Sequence, residues 1–187
     1  MPVETRYMHC NSDTVNGWTG WLLLLDLVGC IYQYHTGSAP GNLSCRWYVS
    51  VWLVKPSGSR TYLGDSTTVY RTTDGIGYQT CTFNCPETDA SPNDAVMVVV
   101  HQFVGGAHSS VNFITPQLNI GKLNAATWTI YLYTQRRYDT SRNTTTGALY
   151  WAWDPYMMSR IENFSWEEAA PVVARRVQGD GLTWIVS

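Results

Sequence analysis

Regular alternation of apolar and polar residues is the feature that most constrains how this chain folds. In residues 45–54 (CRWYVSVWLV) every second residue from Cys45 to Leu53 is apolar, and residues 127–134 (TWTIYLYT) repeat the pattern. Because successive side chains of a β-strand point to opposite faces, this pattern predicts strands with one buried face. Residues 95–104 (AVMVVVHQFV) form a more continuous apolar run, which predicts a central strand covered on both faces.

Turn-forming residues separate these stretches at intervals of about ten residues, as in all-β domains. Clusters of Gly, Pro, Ser, Asp and Asn lie at 56–59, 73–77, 86–94 and 105–110. This spacing favours antiparallel pairing over βαβ units. We therefore predict an all-β fold, an antiparallel β-sandwich of the jelly-roll kind with about eight to ten strands and extended terminal arms.

Further elements are weaker in the sequence. Shorter β-like stretches lie at 5–8, 22–28, 67–72, 78–84, 111–115, 146–153 and 172–177. One helical turn is predicted at 165–170 (SWEEAA), because Ser165 is suited to cap a helix, acidic residues follow it and Pro171 ends it.

The two ends of the chain differ from its middle. We predict an N-terminal arm or edge strand at 1–17, a β-sandwich domain at 18–170 and a C-terminal arm or edge strand at 171–187. The last segment ends in an apolar tip, which would be unfavourable in water. We predict that this tip is an assembly arm, which docks on its own domain or adds a strand to a neighbouring subunit. Its residues are Leu182, Trp184, Ile185 and Val186.

Aromatic residues are frequent in this chain and charged residues are rare. It has 9 Trp and 12 Tyr but only two lysines, Lys55 and Lys122, and 14% of its residues are charged. An average soluble domain has about 25%. Trp, Tyr and Arg are enriched at protein interfaces, whereas Lys and Glu are depleted there. The composition therefore indicates a surface that other subunits or sugar rings cover.

Charge and hydropathy argue against nucleic acid as the main partner and against a membrane span. The net charge of −2 argues against nucleic acid as the main partner, since that requires a basic face. The doublets at 136–137 and 175–176 are interpreted as solvated strand ends or interface clamps. The longest apolar run, 21–31, is about half the length of a membrane span and contains Asp26. Its flanks do not fit a signal peptide, so we expect cytoplasmic synthesis without one.

The cysteines form an odd set, so at least one is free or pairs between chains. If the strand that contains Cys81 runs on through Cys85, both lie on one face about 13 Å apart, too far for a disulfide. We interpret the cysteines as small buried apolar side chains. The set is Cys10, Cys30, Cys45, Cys81 and Cys85.

No residue pattern identifies a catalytic or metal site, and we expect no catalytic residue, no metal and no cofactor. Glycosidases need two facing carboxylates, and neither Glu4 nor Glu162, the two glutamates near strand-like stretches, lies in the aromatic strands. His101 and His108 flank a hairpin-like turn and are the pair considered as metal ligands, but a third ligand in register is missing. The acidic loop 87–94 lacks the residue order of a calcium loop.

One aromatic cluster is a candidate subunit contact or sugar platform. Alternation places Trp151 and Trp153 on one side of a strand and Tyr150 on the other, with Tyr156 following the turn. Packing of this cluster on another sheet or subunit is the main interpretation, and stacking on sugar rings is the alternative.

These observations lead to one main functional hypothesis and two alternatives. The main hypothesis is a non-enzymatic structural subunit that self-assembles as a homo-oligomer into a virion component, such as a capsid, decoration or tail protein, or into a similar filament or shell. Its partners are then copies of itself and other structural subunits, and it resides in the virion or another extracellular assembly. The first alternative is a carbohydrate-binding β-sandwich module or virion lectin, with glycans as partners. A jelly-roll glycosidase is a distant third.

Overall fold

The computed structural model describes residues 5–15, 18–25, 29–36, 43–115, 117–151, 159–169, 174–176 and 184–186, with side chains from residue 29 to residue 169 of these ranges. All regular secondary structure in them is β-strand. In this part of the chain, no helix is long and apolar enough to cross a membrane. The strands are β1 (Thr5–Val15), β2 (Trp18–Leu25), β3 (Gly29–Thr36), β4 (Cys45–Val54), β5 (Arg60–Asp65), β6 (Val69–Arg71), β7 (Gly75–Cys85), β8 (Thr88–Asp89), β9 (Ala95–Val104), β10 (Ala107–Ile114), β11 (Ile120–Leu123), β12 (Ala126–Asp139), β13 (Thr144–Trp151), β14 (Arg160–Phe164), β15 (Trp166–Glu168), β16 (Ala174–Arg176) and β17 (Trp184–Val186).

Twelve of the strands form one hydrogen-bonded network in the order β3-β13-β12-β14-β2-β1-β10-β9-β4-β5, with β6 also beside β4 and β7 beside β12. β1 connects its two halves. Residues Thr5 to Tyr7 pair with β10 in parallel, and Met8 to Val15 pair with β2. All other pairings of the described strands are antiparallel. The fold is therefore all-β and built from antiparallel sheets that do not close into a ring among the described strands.

The two halves bury apolar faces against each other. Phe113 on β10 and Trp151 on β13 make an edge-to-face contact with ring centroids 5.2 Å apart. Gly147 on β13 lies so close to β9 and β4 that a Cβ atom there would be 2.6 Å from Val104 Cγ2 and 3.0 Å from Cys45 Sγ. The core between the halves is thus closely packed. The half-buried aromatic side chains lie on the outer faces of the two halves.

The alternation predicted for the two strongest strands is confirmed. In β4 the residues from Cys45 to Leu53 at odd positions are buried, and in β12 Trp128, Ile130 and Leu132 are buried. β9 has the predicted bounds and lies between β4 and β10. Its outer face is covered only at its beginning, because residues 99, 101 and 103 are partly exposed.

The predicted helical turn at 165–170 is wrong. Residues Trp166–Glu168 form β15, which pairs antiparallel with β11. Instead of capping a helix, Ser165 Oγ accepts a hydrogen bond of 2.8 Å from the side chain of Asn124. A single helical turn gains few backbone hydrogen bonds for the residues it orders, so pairing with an existing strand is more favourable.

The C-terminal segment pairs with itself. β16 and β17 form a two-stranded antiparallel sheet, in which Ala174 is opposite Val186 and Arg176 is opposite Trp184. Leu182 of the predicted assembly arm lies outside the described residues. The role of the arm and the segment bounds 1–17, 18–170 and 171–187 stay predictions.

Candidate functional site

The structure separates the aromatic residues of the candidate platform. Trp151 is only 2% exposed and packs against Phe113 in the core. Gly29 on β3 approaches its indole so closely that any side chain at position 29 would overlap it. The Trp151 ring packs on another sheet, in line with the main interpretation of the cluster, and is not open to a sugar. Trp153 and Tyr156 lie outside the described residues.

Tyr150 instead belongs to a continuous group of tyrosines on the outer face of β3, β13, β12 and β7, which we call the tyrosine row. Tyr32 contacts Tyr150 at 6.1 Å between ring centroids, and Tyr150 contacts Tyr133 at 6.0 Å. Tyr133 contacts Tyr78 at 4.9 Å, and Tyr78 contacts Tyr131 at 6.4 Å. All four contacts are edge-to-face, the geometry that aromatic pairs prefer. The row crosses four strands, a distance of about 14 Å.

The charged side chains that contact the tyrosine row are paired with each other. The Arg160 guanidinium lies 4.1 Å from the centre of the Tyr131 ring, and its Nε donates a hydrogen bond of 2.9 Å to Glu162. The Tyr150 hydroxyl donates to Gln135 Oε1 at 2.6 Å. Burial, and next the hydrogen bond with Tyr32, raise the pKa of Tyr150, so its phenol stays neutral.

The outer face of the other half of the network carries a second aromatic surface, on β4, β9 and β10. The Arg46 guanidinium lies 4.0 Å from the centre of the Phe103 ring. Phe103 stacks on His108 at 4.4 Å, His108 on His101 at 5.2 Å, and His101 on Tyr48 at 4.5 Å. Each ring is therefore fixed by its neighbours and by the strands that carry it.

A chain of hydrogen bonds runs along this surface through Asp65, Ser50, His101 and His108. Ser50 Oγ donates to Asp65 Oδ1 at 2.7 Å and lies 3.0 Å from His101 Nε2. Since the one hydroxyl proton of Ser50 goes to the carboxylate, His101 Nε2 must be the donor to Ser50. His101 Nδ1 is then the acceptor of the 2.9 Å hydrogen bond from His108 Nε2.

This assignment decides what the Ser, His and Asp side chains can do chemically. A serine nucleophile is activated when a histidine nitrogen accepts its proton. Here Asp65 accepts the proton of Ser50, and the facing nitrogen of His101 already carries one. The three residues are therefore arranged as a fixed hydrogen-bonding surface and not as a nucleophile with its base.

His101 is held in its neutral form. Burial lowers the pKa of His101 most, repulsion from His108 lowers it further, and the charge of Asp65 acts in the opposite direction. The neutral tautomer is also the one that the hydrogen bonds require.

A groove of about 350 Å³ lies beside the histidines on β4, β5, β9 and β10. Trp52 and Tyr62 stand 4.9 Å apart with their ring planes inclined by 52°. Tyr62 is 51% exposed. Its hydroxyl donates a hydrogen bond to Asp65, which raises the pKa of Tyr62 to about 12. The groove is lined by Tyr48, Ser50, Trp52, Arg60, Tyr62, Asp65, Met97, Val99, His101 and Asn112.

Part of this site contains residues that the sequence singles out. His101 and His108 flank the turn and were the pair considered as metal ligands, and the register of β9 and β10 places His108 opposite Phe103. The two histidines meet through a hydrogen bond. Within the described ranges no group of three or more His, Cys, Asp or Glu side chains is placed to hold a metal ion. The alternation of β4 does point to the outward positions of Tyr48, Ser50 and Trp52, but no signal in the sequence links them to β5.

The carboxylates considered for catalysis or calcium binding have protein partners. Glu162 accepts from Arg160. Lys122 Nζ lies 3.5 Å from both Glu87 and Glu167. In the acidic loop, the buried carboxylate of Asp94 accepts from Lys55 Nζ at 2.6 Å and from the backbone N–H of Ser91 at 2.8 Å. Glu4 lies outside the described residues.

The cysteine interpretation is confirmed where the structure tests it. Cys45, Cys81 and Cys85 are buried free thiols, and β7 runs through Cys85 as the alternation requires. Burial raises the pKa of Cys45 and of Cys85 to about 11. Cys30 is free and partly buried, and the side chain of Cys10 is outside the described part.

The two arginines of the doublet at 136–137 differ in burial. Arg136 is buried, donates to the Leu43 carbonyl oxygen at 2.9 Å and forms an ion pair with Asp74. Arg137 is exposed. Arg136 therefore links β12 to two loops of its own chain.

No family model, curated protein or solved structure matches this chain.

Proposed function

We propose that this protein is a non-enzymatic structural subunit that assembles with copies of itself through the tyrosine row. A virion component, or a comparable shell or filament, is the assembly we propose. The observation that carries this proposal is the row itself, in which five tyrosines from four strands form one surface on the outside of the fold. The five tyrosines of the row are Tyr32, Tyr78, Tyr131, Tyr133 and Tyr150.

Tyrosine is well suited to such a contact. Its ring buries a large area, and it has only two side-chain torsions to immobilise, so ordering it costs little entropy. In this protein the edge-to-face contacts hold the rings before any partner arrives. The exposed members, Tyr32 at 56% and Tyr78 at 38%, lie on the two outermost strands of the row, β3 and β7, and offer area that a partner can cover.

Charge also favours a second copy as the partner. In a two-fold interface the same surface meets itself, so an unpaired charge there would face its own equivalent. The arginine beside the row is paired with Glu162 at 2.9 Å. Both lysines of the chain are in ion pairs elsewhere, Lys55 with Asp94 and Lys122 with Glu87 and Glu167. The pairing of Arg160 with Glu162 therefore reduces like-charge repulsion when the row meets a copy of itself.

The sheets support the finer fold that we propose, a jelly-roll-like β-sandwich. The two halves of the network bury apolar faces against each other and leave two outer faces, as in a sandwich. β3, which carries Tyr32, pairs on one side only among the described strands, whereas Thr82 on the other edge of β7 is hydrogen-bonded to Thr67. Unpaired strand edges favour association with another chain. The segment with β16 and β17 is proposed as an additional arm of the assembly.

Sedimentation velocity at micromolar concentration tests the proposal. We expect the intact chain to form oligomers and the double variant Tyr32→Ser/Tyr78→Ser to associate at least about tenfold more weakly, because truncating interface tyrosines costs on the order of 1 kcal/mol each or more. Tyr70→Ser is the matched control, since Tyr70 is 55% exposed on β6 and is not part of the row. A monomeric intact chain, or a double variant that associates like the control, contradicts the proposal.

A further inference from the structure

We propose that the groove beside Trp52 and Tyr62 binds a neutral carbohydrate chain. It lies on the outer face opposite the tyrosine row, so the inference is independent of the proposed self-association. Its volume of about 350 Å³ is at the small end of the range for ligand sites, which suits a short segment of a glycan.

Two aromatic side chains form walls of the groove. The Trp52 and Tyr62 rings are inclined by 52° at a centroid distance of 4.9 Å, so they form two sides of an open angle. Tyr62 is half exposed although its ring packs against Trp52. A ring that is exposed and yet held in place is ready to stack on the C–H face of a sugar. The neighbouring Met97 and Val99 extend the apolar surface.

Asp65 places a hydrogen-bond acceptor in the groove. Its carboxylate accepts a hydrogen bond of 2.7 Å from Ser50, and this donor fixes its orientation. An ionised carboxylate offers about four lone-pair sites, so at least about half of its acceptor capacity is left for a ligand. Two vicinal hydroxyl groups of a sugar match such a fixed carboxylate.

The other polar groups of the groove complement Asp65. Arg60 contributes a guanidinium that only donates hydrogen bonds, and Asn112 contributes an amide that both donates and accepts. Sugar hydroxyls also do both, so each of these groups has a partner on the same ligand.

The charge of the groove excludes other ligand classes. Asp65 and Arg60 carry opposite charges, and His101 is held neutral, so the groove has no net charge to attract a phosphate chain or a polycation. A ligand with apolar faces, many hydroxyl groups and no charge fits these features together. Neutral carbohydrate is the chemical class that has all three.

Affinity electrophoresis in native gels tests this inference. The full chain is run in gels that contain xylan, mannan, dextran or hydroxyethyl cellulose, and its mobility is compared with that in a gel without polysaccharide. We expect retardation by at least one of the four, and loss of this retardation in Trp52→Ala, Tyr62→Ala and Asp65→Ala. Tyr62 and Asp65 are exposed, so their alanine variants should fold. They keep the test valid even if replacing the half-buried Trp52 prevents folding.

Two controls separate this site from the rest of the surface. Tyr70→Ser changes an exposed tyrosine outside the groove, and Tyr32→Ser/Tyr78→Ser changes the opposite face, so both should be retarded like the intact chain. The inference is overturned if none of the four polysaccharides retards the protein, if a polyanion such as heparin does so in their place, or if Tyr62→Ala and Asp65→Ala are retarded like the intact chain. Loss of retardation only in the variant of the opposite face would also overturn it.

Discussion

The indole N–H of Trp47 donates a buried hydrogen bond of 2.8 Å to the side-chain oxygen of Gln102. The amide nitrogen of Gln102 in turn donates to the carbonyl oxygen of Gly147 at 3.1 Å. Trp47 and Gln102 lie on β4 and β9, whereas Gly147 lies on β13 in the other half of the network. The two halves are thus joined through the core by directional bonds as well as by apolar contact, and such bonds fix how they are positioned on each other.

Replacing Gln102 by leucine should therefore destabilise the fold strongly. The substitution leaves the Trp47 indole N–H and the Gly147 carbonyl without this partner in a buried site, at a cost of about 1–3 kcal/mol for each group. We expect urea denaturation to show a loss of about 2–4 kcal/mol in the free energy of unfolding. Gln117→Leu, the same change at an exposed position, is the control. A loss in Gln102→Leu no larger than in the control would contradict the role of this hydrogen bond.

Close packing between the halves gives a second prediction, at Gly147. An added Cβ would lie 2.6 Å from Val104 Cγ2 and 3.0 Å from Cys45 Sγ, so β13 has to move away from β9 and β4. Overpacking of this kind costs about 1–3 kcal/mol, and we expect Gly147→Ala to lower the free energy of unfolding by that amount.

The turn between β9 and β10 offers a matched control, because a Cβ at Gly106 would have no atom within 4 Å. Gly106→Ala should leave the unfolding midpoint close to that of the intact chain. If both alanine variants unfold at the same denaturant concentration, the halves are not packed as the structure shows.

The histidines predict how stability depends on pH. The groups that face His101 are Asp65 through Ser50 on one side, His108 on the other, and the ring of Tyr48. Burial and His108 lower the pKa of His101 below its ordinary value of 6.5. As pH falls through that value, the unfolded chain binds a proton that the folded chain does not, so the folded state loses stability.

This loss should begin near pH 6.5 and end once the pH is below the pKa of His101 in the folded state. We expect the free energy of unfolding to fall less between pH 7.5 and pH 5 in His101→Gln than in the intact chain. Urea denaturation at several pH values measures the difference. An equal fall in both proteins would show that His101 is not held neutral by its surroundings.

Local sequence patterns predicted β4 and β9 with the correct bounds. The alternation of β4 and the apolar run of β9 are each complete within the strand. β3 was missed, since its partner is β13, more than a hundred residues later, and its own residues are mostly polar or half exposed. β15 was missed for a related reason, because pairing with β11 overrides a local preference for a helical turn.

The site was predictable only where its residues are neighbours in one hairpin. The approach of His101 and His108 follows from the short turn that joins their strands. Ser50 and Asp65 face each other because β4 and β5 pair in a particular register, which includes an irregularity between Val51 and Trp52. That register depends on the packing of the whole sheet and is not encoded in either stretch alone.

Hydroxyl-radical footprinting with mass spectrometry tests the central claim most directly, because it reports which tyrosines an assembly covers. Tyr32 and Tyr70 are 56% and 55% exposed in the single chain and should react alike when the protein is dilute and monomeric. Under assembling conditions, we predict that oxidation of Tyr32 and Tyr78 falls severalfold, while Tyr70 reacts as before. Equal oxidation of Tyr32 and Tyr70 in the assembled protein would contradict association through the tyrosine row.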